Sequence, residues 1–146
     1  MAAQQKANIP NYKLASIELL DIHLYQKNRP QEEGKIYHFN LDIEHKFNIE
    51  KKQIFAITTV NVLHEDKETL LGSIQVGCSF KVENSEEYTD QEKQSFNFPQ
   101  EMLTNLNAET ISTTRGVMFS NFSGTFLHRA YLPLIDPSQF FKEDNN

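Results

Sequence analysis

The chain has 146 residues, 38% of them hydrophobic, enough for one domain with its own core and no need of disulfide or metal. Its formal charge of −6, with no Lys/Arg cluster, excludes a nucleic-acid module, which needs a cationic surface. A single cysteine, Cys78, excludes an intrachain disulfide and a multi-cysteine metal site; the lack of a long apolar run or secretion signal leads us to expect a cytoplasmic protein with no direct membrane insertion.

The reading is one domain over residues 1–146, with 1–11 and 142–146 as flexible tails. From Leu14 to Tyr25 apolar residues fall at 17 and 19, then at 20, 22 and 24. That change of phase between Leu19 and Leu20 predicts a bulged or strongly twisted strand. Tyr37 to Ile49 alternates cleanly: Tyr37, Phe39, Leu41, Ile43, Phe47 and Ile49 share one parity, interrupted only by His45. With a two-residue side-chain period this is a strand with one wet face. Ile54 to Leu63 is apolar on both faces, as in a central strand, and Leu70 to Val82 is a fourth strand. Gly72 and Gly77 mark bulges or close backbone approach within it. Four consecutive strands with modest loops predict an antiparallel meander.

Residues 83–97 read as a long acidic loop. A short helix is expected from Pro99 through Leu106, with a break at Asn107, then a main helix from Glu109 to Asn121. Ile111, Arg115, Met118 and Phe122 follow helical spacing on one stripe, which puts Arg115 in line with apolar residues. Gly124 is a C-terminal stop, and the proline-interrupted FLHRAYLPLIDPSQFF after it can form no long regular helix. The fold class is therefore α+β: a four-stranded antiparallel sheet, a short helix, a main helix and an irregular C-terminal segment.

No catalytic constellation is present: there is no Gly-rich phosphate loop, no G-x-S-x-G elbow and no H-E-x-x-H, so no enzyme and no cofactor are expected. Asp42 and Glu44 lie on one strand face, but His38 and Lys46 on that face balance them, and a solvated sheet surface is the simpler reading. His38 and His45 have opposite parity and point to opposite faces, so no metal site is assigned. Cys78 falls on the apolar parity of its strand and reads as a small core residue.

What stands out is the aromatic content: eleven Phe and five Tyr, no Trp, with a gathering toward the C-terminus. Burying a Phe fully is worth about 1.5–3 kcal/mol, so rings left open in a groove form a sequence-tolerant sticky surface. The expected groove is lined by Phe119, Phe122, Phe126, Tyr131, Leu132, Leu134, Phe140 and Phe141, and its partners would be unfolded polypeptides.

At this segment the chain resembles the SecB family of export chaperones. The family's pattern reads here as Gly124-Thr125-Phe126, six residues, Pro133-Leu134, and Phe140 seven residues beyond that proline. The strand order and polar loops extend the resemblance to about residues 12–141, whereas Ile111–Gly116 shares little of the family's helix-start motif. The resemblance implies an ATP-independent holdase, assembled as a homodimer or homotetramer. It implies interface residues on the first strand and main helix, here Ile17, Leu19, Ile111 and Met118. Docking of a translocation motor would use Asp21 and Leu71, while Tyr25 and Ser73 replace two other acidic positions. Three other readings are a dedicated chaperone of one partner, such as an antitoxin, a structural adaptor, and an enzyme built on Cys78 or the Asp42/Glu44 face.

Overall fold

The computed structural model describes residues 9–25 and 36–140. Its frame is a four-stranded antiparallel sheet of β1 (Tyr12–Leu24), β2 (His38–Asn48), β3 (Gln53–Leu63) and β4 (Leu70–Val82). The order across the sheet is β1-β4-β3-β2. Only β2-β3-β4 forms a meander; β1 lies at the far edge beside β4, which corrects the simple meander to a Greek-key order. Periodicity fixes which face each residue takes but is blind to which strand lies beside which.

Tight turns set the register of the three hairpin-connected strands. Between β2 and β3, the Asn48 side chain accepts the Lys51 N–H at 3.0 Å. Between β3 and β4, the Asp66 carboxylate accepts the N–H groups of Glu68 and Thr69 and the Thr69 hydroxyl. Those bonds favour the ionised form and hold Asp66 at about 2. The phase change in β1 appears as a register shift between Leu19 and Asp21, with a second between Leu14 and Ser16.

One sheet face carries the core. Ile54, Ala56, Val60 and Val62 on β3 and Ile74, Val76, Cys78 and Phe80 on β4 are all buried. Gly77 serves the opposite face: a Cβ there would stand 2.5 Å from the tip of the Phe55 ring, which lies across the bare backbone. Against the inner face packs one unbroken helix, α1 (Gln100–Phe122), where a short and a main helix were expected. The break expected at Asn107 does not occur because its side chain has partners off the helix, described below. Met102, Leu106, Ile111, Met118 and Phe122 bury its apolar side, while Thr110 and Thr114 return their hydroxyls to carbonyls one turn back at 2.7 Å.

The acidic segment between β4 and α1 is partly ordered as a 3₁₀ turn (Ser85–Tyr88) and a small hairpin of β5 (Thr89–Asp90) and β6 (Ser95–Phe96). It folds because Tyr88, Phe96 and Phe98 gather with Phe47 of β2, ring centroids 5.3–5.7 Å apart, and close one end of the sheet. Of the expected flexible tails, residues 142–146 and 1–8 lie outside the described residues. Asn11 is docked: its carbonyl accepts the Glu83 N–H at 2.9 Å.

Candidate functional site

After α1 the backbone turns at Gly124, φ +80°, a conformation that favours glycine. Thr125 braces the turn by donating its hydroxyl to the Phe122 carbonyl at 2.7 Å and accepting the Leu127 N–H at 3.1 Å. Leu127, fully buried, packs over Gly72, where a Cβ would stand 2.5 Å from its Cδ1. Residues 130–136 then run without regular structure, as Pro133 and Pro137 cannot donate to a ladder, and a short 3₁₀ turn (Pro137–Phe140) follows.

This strap is tied down through its carbonyls. Arg115 donates from Nε to the Leu132 carbonyl at 2.7 Å and from Nη2 to the Pro133 carbonyl at 2.8 Å. Asn107 donates to the Pro137 carbonyl at 3.3 Å, and the Tyr37 hydroxyl donates to the Phe126 carbonyl at 3.3 Å. Since Leu132 meets Arg115 and Pro137 meets Asn107, the strap runs antiparallel to α1. Asn107 also bonds His45 on β2 at 2.7 Å, so one amide joins strand, helix and strap. Burial pushes the His45 imidazole below its ordinary value, with the Asn107 bond acting in the opposite sense.

Between the strap and β2 lies a cleft of about 480 Å³, walled by Tyr37, Phe39 and Leu41 on one side and Pro133, Ile135 and Phe140 on the other, with His38, Asn40 and Gln139 among them. Outside it, Phe119 and Tyr131 stack with centroids 6.2 Å apart, and both are more than half exposed. Leu134 is 93% exposed.

The expected groove residues therefore divide. Phe119, Tyr131 and Leu134 face solvent, and Phe126 and Phe140 are half-buried. Phe122 and Leu132, 1% and 2% exposed, belong to the core, because helical spacing turns Phe122 toward the sheet and the Arg115 bonds press Leu132 inward. Phe141 lies outside the described residues.

Of the expected interface residues, Ile17 and Leu19 stand 49% and 43% exposed on the inner face of β1, but Ile111 and Met118 are buried within the chain under α1. Asp21 is exposed beside His23 at 3.0 Å. Leu71 is buried, because irregular β3–β4 pairing at Val62/Leu63 breaks the alternation and folds in both Leu71 and Gly72.

Two further features bear on chemistry. Cys78 is fully buried and its thiol is pushed up by that burial, the reverse of what a nucleophile needs. Among the described residues no group of three or more His, Cys, Asp or Glu is placed to hold a metal, and no helix is long and apolar enough to cross a membrane.

Sequence reasoning missed the β2 wall of the cleft and the His45–Asn107 bond. The signal for that bond was present, in two polar residues at apolar-phase positions whose oddities answer one another.

No family model and no curated protein matches the sequence. Among solved structures, the chain is similar to the Mycobacterium tuberculosis SecB-like chaperone Rv1957 in complex with a ChAD peptide from the HigA1 antitoxin. The TM-score is 0.61 at 10% identity, over 85% of this chain and 89% of that one. A protein of unknown function from Streptococcus agalactiae aligns over 78% of this chain and 89% of its own at 9% identity, with a TM-score of 0.35 that bears no weight. The four-stranded antiparallel sheet, single main helix and irregular C-terminal segment together make a SecB-like fold.

Proposed function

We propose that the protein is an ATP-independent holdase that keeps non-native polypeptide unfolded on the cleft and platform beside the strap. The observation that carries this reading is the exposure of Phe119, stacked on Tyr131, and of Leu134, on a strap that also walls a cleft of mixed apolar and polar lining. A large apolar patch left open is a binding surface for other apolar chains. Each contact is weak and indifferent to sequence, and several protomers together raise avidity. Assembly would run through Ile17 and Leu19, left exposed on the inner face of an edge strand, giving a homodimer or homotetramer. No step of this activity calls for a catalytic group.

The second reading is a dedicated chaperone of one partner such as an antitoxin, favoured by the antitoxin peptide bound to the structural neighbour. Docking to an export motor has less support, since Leu71 is buried and Asp21 alone of the expected contacts is exposed. The test is light scattering of a denatured client diluted into buffer with stoichiometric protein. Suppression of aggregation is expected for general clients. Suppression confined to one partner favours the dedicated chaperone, and no suppression of any client removes both readings.

A further inference from the structure

The strap is gripped in an unusual way for a piece of core. Over residues 130–136 only Ala130 and Leu132 are buried, at 4% and 2% exposure, with Ile135 half-buried, while Tyr131 and Leu134 point out. What fastens it are side chains of α1 donating to carbonyls, two from the Arg115 guanidinium and one from the Asn107 amide. Carbonyls are the same in every residue, so these donors recognise backbone and not a particular sequence. Ile111 and Met118, one turn before and after Arg115, are core residues at 3% and 1% exposure, so Arg115 stands at the margin of the core. Arginine's planar fork suits two acceptors at once, and Pro133, with no N–H to give, keeps the bound segment out of any ladder.

We infer that this stripe of α1 is a backbone-reading site whose resident occupant is the protein's own strap, and that an extended apolar segment of a client takes the strap's place. The strap is then an autoinhibitory contact. It shields the Arg115 and Asn107 donors and the socket of Leu132 until a competing chain displaces it. Segments fastened by a few partly exposed hydrogen bonds open locally well below the free energy of global unfolding, which makes displacement accessible. A site that is open only part of the time binds with its intrinsic affinity reduced by that open fraction, so loosening the strap tightens client binding. The inference rests on the holdase reading and shifts its site: Tyr131, Leu134 and Ile135 move off with the strap, and the Arg115 stripe of α1 becomes the surface that holds the client.

The test uses the full chain and, as probe, a fluorescently labelled, reduced and carboxymethylated protein that stays unfolded. Leu132→Ser removes the strap's anchor and leaves Arg115 intact. Hydrogen exchange should quicken across residues 131–136, and the probe should bind at least about fivefold more tightly than to the wild type. Adding Arg115→Met to that variant should abolish the gain, because the donors that hold the strap also hold the client. If Leu132→Ser does not fold, Ile135→Ser, at a half-buried strap position, is read in the same way. Faster exchange with unchanged or weaker probe binding would overturn the inference and leave the holdase reading standing, with the strap as a fixed wall of the site. Unchanged exchange in the released variants would also overturn it. Failure of the wild type and both released variants to bind the probe would remove the holdase reading itself, and the inference with it.

Discussion

The two flanks of α1 are treated differently. On the β2 side the strap crosses over, and His45, Asn107 and Arg115 tie strand, helix and strap together with short hydrogen bonds. On the β1 side no strap crosses among the described residues, and Leu14, Ile17 and Leu19 stand 43–49% exposed on the same sheet face as the core. A shallow cleft lined by Leu14, Phe80, Ala108 and Ser112 runs between that strand and the helix. Among the described residues, then, packing is completed on one flank of the helix only. The covered flank should therefore govern the stability of the protomer, and the bare flank its association with others.

That division can be broken by substitution. The largest effect is expected where both flanks meet the core: Phe122→Ala should cost about 3–5 kcal/mol in chemical denaturation. On the covered flank, Asn107→Ala strips His45 and the Pro137 carbonyl of their partner and should cost about 1–3 kcal/mol.

The same flank should show a pH signature. His45 is held below its ordinary value by burial, so the unfolded chain takes up a proton before the folded one does. Stability is then complete above about pH 6.5 and falls as pH drops through the window down to the depressed folded value. His45→Gln should flatten that slope in melts recorded across the range.

The smallest effect on the protomer belongs to the bare flank. Ile17→Asp with Leu19→Asp should change stability by less than about 1 kcal/mol while lowering the mass measured by light scattering. Equal destabilisation from both flanks, or an unchanged mass, would show that the contrast is wrong.

How far the sequence reveals this arrangement depends on the kind of interaction involved. The strands follow from side-chain period, and even the slip between Leu19 and Asp21 is written in the phase of Ile17, Leu19 and Ile22. Gly124 as the stop of α1 is equally legible, since its positive φ is a local demand. What escapes is whatever is decided at long range. Nothing in β1 says that it pairs with β4 instead of β2. Asn107 resembles a helix breaker until His45, 62 residues away, is found beside it. Tyr88, Phe96 and Phe98 sit in a segment whose acidic residues speak for a loop, and only their meeting with Phe47 shows why it is ordered.

Of the candidate site, the exposure of single side chains was partly legible. The exposed rings Phe119 and Tyr131 were expected, but helical phase alone could have placed Phe122 inside. Arg115 was noticed as a charge among apolar neighbours. Its purpose becomes visible only when the carbonyls of Leu132 and Pro133 arrive in front of it.

Cys78 offers a practical consequence of the way α1 sits on the sheet. It is the only cysteine in the chain, fully buried on β4 on the side that the helix covers. An alkylating reagent can reach that sulfur only in the moments when the helix and sheet part, and while they are closed burial raises the thiol's pKa and disfavours the reactive thiolate. The rate of labelling at one natural position thus serves as a clock for breathing of the whole layer, with no probe engineered in.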